Sequence, residues 1–218
     1  MFHVEHESEL REFTICSLRE FGLTINDSQV EQFMRYLAHL VEWNKATNLT
    51  SITDPKEVII KHFLDSLLGL SATTFPEQAV VIDVGSGGGF PGVPLKIVRA
   101  DMRVVLVEPT RKKCSFLNSL IGLLKLRDLS AFDGTIEEYA KRPVHQVADM
   151  VVVRALKFQE LRKYISPLLA TNGKVVLYRA EPIEKQEVGE AFQLVSESDF
   201  VLPQGSGRRV ISVLEKFN

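Results

Sequence analysis

A cluster of glycines directly follows a short apolar run that contains an acidic residue. The stretch Val80–Pro94 reads VVIDVGSGGGFPGVP, with glycines at 85, 87, 88 and 89. Glycine lets the main chain adopt positive φ and lets a ligand approach the backbone closely. A helix that begins after such a turn presents free N–H groups to that ligand. The spacing therefore predicts a backbone cradle for a nucleotide-like ligand at the carboxyl end of a strand.

Two interpretations of this loop compete. Gly87–Gly92 fits the G-x-G-x-x-G fingerprint of dinucleotide-binding proteins, a short match in a chain with 13 glycines. Read from Asp83, the same stretch is D-x-G-x-G-x-G, which resembles the first motif of Rossmann-like S-adenosylmethionine methyltransferases. In that motif the acid helps to position the charged methionine end of the cofactor. An acid is less suited to a pyrophosphate, so we favour the second interpretation, with an NAD-dependent oxidoreductase as the alternative.

Acidic and basic residues follow the later predicted strands. Glu108 ends the second strand about 20 residues after Gly87, the place of an acid that accepts ribose hydroxyls in both cofactor classes. Ile136 follows the third strand, where an apolar side chain can contact an adenine, although acids there also suit a plain helix N-terminus. Arg154 lies just past the fourth strand, and its guanidinium can reach a cofactor carboxylate, a phosphate or a base.

The apolar pattern changes near residue 79. Residues 1 to 72 carry helical stripes, including a helix with Asp27 or Ser28 as its predicted N-cap and one with Asp54 as N-cap and Pro55 at the first helical position. Beyond residue 79 short β-branched runs alternate with helices, which predicts parallel strands with right-handed crossovers. The predicted strands are Ala79–Val84, Val104–Val107, Leu129–Phe132, Met150–Val153 and Lys174–Tyr178, followed after a helix at Glu181–Phe192 by a hairpin of Leu194–Val201 and Arg209–Glu215. The fold class is α/β, Rossmann-like and mostly parallel with seven strands, and the predicted domains are 1–72, a helical extension packed on the core, and 79–218.

Composition excludes several classes of protein. The 218 residues are 45% hydrophobic and 25% charged with a net charge of −2, so an RNA partner has to be met by a local patch. No apolar run reaches the roughly 20 residues of a membrane span, and the charged start does not fit a signal peptide. Cys16 and Cys114 have no metal-binding spacing, and we expect free thiols, no metal site and a cytoplasmic location.

Several segments together resemble one family across nearly the whole chain. This family is the bacterial 16S rRNA guanine-N7 methyltransferases, also called glucose-inhibited division protein B. The segments are Trp43-Asn44, Asn48-Leu49-Thr50, Lys61–Ser66 (KHFLDS), Asp83–Pro94, Lys112-Lys113 before Phe116-Leu117, and Val153-Arg154-Ala155. Arg179-Ala180 departs from the Lys-Gly usual in the family, and it keeps an assembly factor without activity as an alternative.

The resemblance implies transfer of a methyl group from S-adenosyl-L-methionine to N7 of a guanine (the family's guanine 527) in a 16S rRNA hairpin loop near the decoding site. By position it implies cofactor contacts at Gly85, Phe90, Ile136, Glu137 and Arg154, to which the motif reading adds Gly87 and Glu108. The implied partner is 16S rRNA within the small subunit or an assembly intermediate, and nothing requires a dimer or a membrane. A methyltransferase acting on another substrate is the alternative.

Guanine N7 carries a lone pair and no proton, so the transfer needs no general base and we assign no catalytic residue. In-line positioning of the reactants can supply on the order of 7–11 kcal/mol. His62 and Asp65 stand one helical turn apart and can hydrogen-bond each other. Phe90 is one candidate for stacking on the target base. Candidate substrate-binding residues follow strand ends: Arg111, Lys112, Arg179, Arg208 and Arg209.

Overall fold

Seven strands form one sheet in a computed structural model that describes residues 4–143 and 147–217. The spatial order is β3-β2-β1-β4-β5-β7-β6; β1 to β5 are parallel, and β7 is antiparallel to both β5 and β6. The strands are β1 (Val80–Val84), β2 (Arg103–Glu108), β3 (Leu129–Asp133), β4 (Ala148–Arg154), β5 (Leu169–Arg179), β6 (Phe192–Val201) and β7 (Arg208–Lys216). The predicted mostly parallel sheet with a terminal antiparallel hairpin is confirmed.

Four helices precede the sheet, and a π-helical turn at Ile59–Leu64 joins the last two of them. They are α1 (Val4–Arg19), α2 (Asp27–Thr47), α3 (Pro55–Val58) and α4 (Asp65–Ala72). Asp54 caps α3 by accepting from the Glu57 N–H at 2.9 Å, as predicted. The cap of α2 is Asn26, one residue before the predicted position, because Asn26 and Gln29 exchange side-chain and main-chain hydrogen bonds in a capping box.

The remaining helices lie between and after the strands. They are α5 (Gly92–Val98), α6 (Arg111–Leu124), α7 (Ile136–Ala140), α8 (Phe158–Ile165) and α9 (Lys185–Val188). The predicted helix at Glu181–Phe192 is wrong in extent. It lasts one turn, because Gly189 takes a φ of +76° and the chain then enters β6 at Phe192.

Alternation along the strands divides the apolar core between the two faces of the sheet. Val81 packs with α1 to α6 on one face, whereas its neighbour Ile82 packs with α7, α8 and α9 on the other. The first of these clusters draws on residues from Leu10 to Val213, so the N-terminal helices share a core with the sheet. The division into an extension of 1–72 and a domain of 79–218 stays a prediction.

Candidate functional site

The carboxyl ends of five parallel strands place the predicted residues along one edge of the sheet. Gly85 follows β1, Glu108 ends β2, Arg154 ends β4 and Arg179 ends β5. The start of β7 returns to the same edge, where Arg179 pairs with Val210. Ligands of open α/β sheets bind outside these strand ends, so the topology brings the candidate residues to one site.

The glycine loop turns sharply off β1 and is fixed to β2. The N–H groups of Gly85 and Ser86 both donate to the carbonyl of Val107, at 2.8 and 3.2 Å. The Ser86 carbonyl then accepts from the N–H groups of Gly89 and Phe90, at 2.7 and 2.8 Å. A cis peptide bond joins Phe90 to Pro91, after which α5 begins. The loop therefore presents its outer main chain at the carboxyl end of β1.

Two glycines of the loop serve different purposes. A Cβ on Gly92 would lie 2.5 Å from Leu106 Cδ2 and 2.7 Å from Asp83 Oδ2, so this glycine allows α5 to pack on the strands. A Cβ on Gly87 would meet nothing nearer than the carbonyl oxygen of Gly85, at 3.9 Å. Gly87 also has a φ of +58°, so it supplies the turn and leaves open space for a ligand.

Asp83 is a buried carboxylate with spare acceptor capacity. Its Oδ2 accepts from the Gly92 N–H at 2.9 Å, while its buried Oδ1 has no hydrogen-bond partner within residues 4–143 and 147–217. Burial raises the pKa of Asp83 to about 7, although the Gly92 N–H and the positive charge of Arg154 act in the opposite direction. A positively charged donor is the natural partner for such an oxygen.

Glu108 joins the glycine loop to the end of β2. Its Oε2 accepts from the Gly87 N–H at 2.9 Å and its Oε1 accepts from the Thr110 N–H at 2.8 Å. The side chain is buried, so the carboxylate is held in one orientation. An ionised carboxylate offers about four lone-pair sites, which leaves capacity on both oxygens for ribose hydroxyls.

The structure places Ile136 and Glu137 at the N-terminus of α7, beside β2. The Gly134 N–H donates to the Glu108 carbonyl at 3.1 Å, which ties this turn to the site. Ile136 is buried in the core, and the Glu137 carboxylate pairs with Lys141 at 2.8 Å on an exposed surface. Both residues lie at the rim of the site, and their contact with a cofactor stays a prediction.

Arg154 is held from several sides. Its Nη1 donates to Asp65 Oδ2 at 3.0 Å and to the Lys61 carbonyl at 3.2 Å, and its Nη2 approaches His62 Nδ1 at 3.3 Å. The guanidinium carbon lies 5.1 Å from the ring centroid of Phe90. Of the five N–H donors of an arginine, two have no partner among the described residues. The fold therefore orients this cation and keeps donors free.

The predicted hydrogen bond between His62 and Asp65 is not made. Asp65 is fully buried and accepts from Arg154 and from Arg209 Nε, the latter at 2.5 Å, while His62 Nδ1 is occupied by Arg154. The reason is that two arginines from β4 and β7 reach this turn of helix. Asp65 and His62 are thus joined through Arg154.

Phe90 is not an exposed stacking platform, so that prediction is wrong. Its ring is 3% exposed and stacks on His62 and Tyr36, with centroid separations of 4.5 and 5.3 Å. The Phe90 ring instead packs against the guanidinium of Arg154. The main chain of Phe90 remains in the glycine loop, so its predicted cofactor contact is unaffected.

The five candidate substrate-binding residues differ in their surroundings. Arg179 pairs with Glu187 at 2.7 Å, Arg208 pairs with Asp199, and Arg209 is bound to Asp65. Arg111 and Lys112, at the start of α6, are exposed and make no ion pair with any described residue. Of these five described residues, the two of α6 therefore have a charge that is free for an anionic ligand, whereas an RNA phosphate at any of the other three would compete with an ion pair.

Sequence reasoning missed two contributors to the site. Leu156 is 44% exposed, and its Cδ1 lies only 2.5 Å from where a Cβ on Gly85 would stand, so an apolar side chain borders the loop. The fully buried Tyr36 of α2 donates its hydroxyl hydrogen to the Gly88 carbonyl. The signal for Leu156 was its position two residues after Arg154, whereas the contact of Tyr36, 52 residues from Gly88, left no local signal.

The sequence of the chain matches a family model and several known proteins. A sequence model of the GidB family, described as rRNA small subunit methyltransferase G, matches residues 29–207. The chain is 42% identical over 168 residues to the ribosomal RNA small subunit methyltransferase G of Roseiflexus sp. (strain RS-1), covering 76% of this chain and 71% of that protein. It is 34% identical over 216 residues to the protein of the same name from Bacillus pumilus (strain SAFR-032), covering 95% of this chain and 90% of the relative.

A solved structure, that of MtNAS in complex with MTA and tNA, has a similar fold. The TM-score is 0.59 at 14% identity, over 99% of this chain and 88% of that chain, so the likeness concerns the fold alone. The Rossmann-like fold class expected from the sequence is confirmed. On the match of the family and the identity of its relatives, this chain belongs to the GidB family of rRNA small subunit methyltransferase G proteins.

Proposed function

We propose that the chain transfers a methyl group from S-adenosyl-L-methionine to N7 of a guanine in a 16S rRNA hairpin loop, the family's position 527. One observation carries the assignment of the cofactor. A buried oxygen of Asp83 and two N–H donors of Arg154, none of which has a hydrogen-bond partner among the described residues, lie at the same sheet edge. An amino-acid end carries an ammonium and a carboxylate, and so matches both groups. A pyrophosphate offers no cation to Asp83, which disfavours the dinucleotide alternative.

The residues present fit this cofactor. Asp83 would receive the ammonium, Arg154 the carboxylate and Glu108 the ribose hydroxyls, while Gly85, Gly87 and the main chain of Phe90 line the path between them. The rim at 136–137 supports an adenine through Ile136. When bound, the cofactor supplies a methyl group on a positively charged sulfur.

The role of the protein in this reaction is positioning. Guanine N7 presents a lone pair, so no side chain has to remove a proton. Arg154 and Asp83 orient one reactant, and the exposed Arg111 and Lys112 would hold phosphates of the RNA loop on the same rim. Leu156, which borders Gly85, keeps one side of this space apolar. The methyl transfer is accelerated because both reactants are held in line.

The RNA partner follows from the same proposal. A base in a single-stranded loop can be splayed out to reach the methyl group, whereas a paired base must first be unpaired and unstacked. We infer that the chain acts as a monomer in the cytoplasm on the small subunit or an assembly intermediate, with Arg179, Arg208 and Arg209 as further RNA contacts. Within the described residues no helix is long and apolar enough to cross a membrane.

Transfer of tritium-labelled methyl groups tests the proposal. The protein would be incubated with labelled S-adenosylmethionine and small subunits that lack the modification, naked 16S rRNA, or neither. Label in RNA with the wild-type protein and little with Arg154→Gln supports it. Cofactor binding without transfer to either RNA favours an assembly factor, and binding of NADH in place of S-adenosylmethionine favours the oxidoreductase.

A further inference from the structure

We propose that Thr50 is a positioning residue for Arg154 and acts on it through the imidazole of His62. The inference rests on the proposed function, because it takes Arg154 as the group that holds the carboxylate of the cofactor. Thr50 belongs to the connector between α2 and α3, far in sequence from the glycine loop. It touches neither the loop nor Arg154 in any hydrogen bond among described residues.

The connector is held rigidly against the end of α2. Asn44 Nδ2 donates to the Thr50 carbonyl at 2.8 Å, and the Thr50 N–H donates to Asn44 Oδ1 at 2.9 Å. These two reciprocal bonds fix the main chain of Thr50. Asn48 turns the chain into this arrangement with a φ of +49°, a conformation that asparagine tolerates better than most residues. The hydroxyl of Thr50 therefore has a defined location.

The hydroxyl of Thr50 fixes His62. Its Oγ1 accepts from the Ile52 N–H at 3.0 Å and lies 2.7 Å from His62 Nε2. An arginine can only donate, so the contact of Arg154 Nη2 requires that His62 Nδ1 be an acceptor. A neutral imidazole then carries its hydrogen on Nε2 and donates it to Thr50. Burial, followed by the charge of Arg154, lowers the pKa of His62 to about 3, which keeps the ring neutral as this arrangement needs.

His62 in turn fixes the guanidinium. The imidazole stacks on Phe90 at a centroid separation of 4.5 Å, and Arg154 lies over the same phenyl ring. Asp65 and the Lys61 carbonyl hold Nη1, and His62 holds Nη2. Without the bond to Thr50, the imidazole could rotate or change tautomer, and a hydrogen on Nδ1 would oppose the Arg154 N–H. Arg154 would then lose the contact that sets its second amino group.

A purely structural role for Thr50 predicts a different result. The connector would loosen, the free energy of unfolding would fall, and folded molecules would still bind the cofactor normally. A positioning role weakens cofactor binding, and the effect disappears once Arg154 has been replaced, because residues that act through one another are not additive. The two roles are therefore separable by a double-mutant cycle.

The test is calorimetric titration of the full chain with S-adenosylmethionine, without RNA. Thr50→Val removes the hydroxyl at constant shape, and Thr50→Ser keeps it. Thr47→Val is the matched control, since Thr47 is also half-buried near the end of α2 and, among the described residues, its hydroxyl bonds only the Trp43 carbonyl. We expect Thr50→Val to raise Kd about 5- to 10-fold, the worth of about one hydrogen bond, and Thr50→Ser and Thr47→Val to change it less than about twofold. The double variant Thr50→Val/Arg154→Gln should bind no more weakly than Arg154→Gln.

The other outcomes distinguish failure of this inference from failure of the proposed function. Unchanged binding by Thr50→Val, or full additivity with Arg154→Gln, overturns the inference and leaves the proposed function standing. If the wild-type chain binds no S-adenosylmethionine, both fail together. If Thr50→Val does not fold, ¹⁵N spectra of histidine-labelled wild-type protein decide. The resonance that shifts in Thr50→Ser should belong to a neutral ring with its hydrogen on Nε2, and a hydrogen on Nδ1 would refute the role of Thr50.

Discussion

Tyr36 donates its hydroxyl hydrogen to the carbonyl of Gly88, and this bond joins an N-terminal helix to the glycine loop. Both residues are buried. Burial raises the pKa of Tyr36 well above its usual range, so the hydroxyl remains a donor at all relevant pH values. The ring also stacks on Phe90, 5.3 Å away. The N-terminal helices thus contribute directly to the shape of the candidate cofactor site.

Replacing Tyr36 with phenylalanine should loosen this loop. The Gly88 carbonyl would be left buried without its partner, which costs about 1–3 kcal/mol of the free energy of unfolding. Urea denaturation measures this, and cofactor titration should show weaker binding as well. Tyr139→Phe is the control, because Tyr139 is buried too but its hydroxyl bonds no described residue. Equal losses of stability in the two variants would show that the bond to Gly88 is unimportant.

Gly87→Ala separates the cost of the turn from the loss of space for the cofactor. Gly87 and Gly205 have similar φ values, +58° and +67°, and a Cβ added at either position would make no close contact. Each alanine should cost about 1–2 kcal/mol of stability, the penalty of a left-handed conformation. Only Gly87→Ala should also weaken binding of S-adenosylmethionine, about 10-fold or more, corresponding to about 1.4 kcal/mol. Matching affinities of the two variants would place the cofactor elsewhere.

The carboxyl group of Asp83 should make stability depend on pH. Its pKa is raised to about 7 by burial, from 3.8, so the native state holds the proton more tightly than the unfolded chain does. The contribution is present below about pH 4 and is lost as the pH rises through 7. Relative to Asp83→Asn, the wild-type protein should lose up to about 4 kcal/mol between pH 4 and 8.

Denaturant unfolding across this pH range, in the absence of cofactor, gives the comparison. Asp133→Asn is the control, since Asp133 is an exposed carboxylate at the end of the neighbouring strand β3. Its stability curve should run parallel to that of the wild-type protein. Parallel curves for wild type and Asp83→Asn would show that burial does not raise the pKa of Asp83 above its value in the unfolded chain.

The free cations of α6 predict a dependence of RNA binding on salt. If Arg111 and Lys112 each neutralise one phosphate of a single-stranded loop, replacing both with glutamine should reduce the slope of log affinity against log salt by about 1.4. Filter binding of an RNA hairpin at several salt concentrations measures the slope. Arg127→Gln is the control, because Arg127 is exposed just before β3, at the opposite edge of the sheet. An unchanged slope in the double variant would remove these residues from the RNA interface.

Local patterns in the sequence predicted much of the fold. β-branched runs located all seven strands, and the signal is clearest in parallel strands that are buried on both faces, such as β1 and β4, because these are continuous apolar segments. The errors fall where local signals are weak. Strand β5 begins at Leu169, five residues before its predicted start, since the polar segment at 170–173 is typical of a turn. The helix predicted at Glu181–Phe192 ran past Gly189 because the sequence there has helical propensity, whereas the positive φ of Gly189 ends α9.

The candidate site was predictable only in part, for a related reason. Motif spacing indicated Asp83 and Glu108 and the family resemblance indicated Arg154, and the topology brings these strand ends to one edge of the sheet. It could not show that Arg154 reaches Asp65, 89 residues away, or that Thr50 reaches His62 through the connector. Such contacts depend on how helices pack on the sheet. The family resemblance identified the segments that contain Thr50, His62 and Arg154, but a resemblance of sequence does not show which residues are in contact.

Mass-spectrometric mapping of N7-methylguanine in 16S rRNA tests the proposed function most directly. Small subunits from cells that lack the gene would be treated with S-adenosylmethionine and either the wild-type protein or Arg154→Gln. We expect one new N7-methylguanine, in a single-stranded hairpin loop near the decoding site, that requires the wild-type protein. Methylation of another atom or another base, or no methylation by a protein that binds the cofactor, would contradict it.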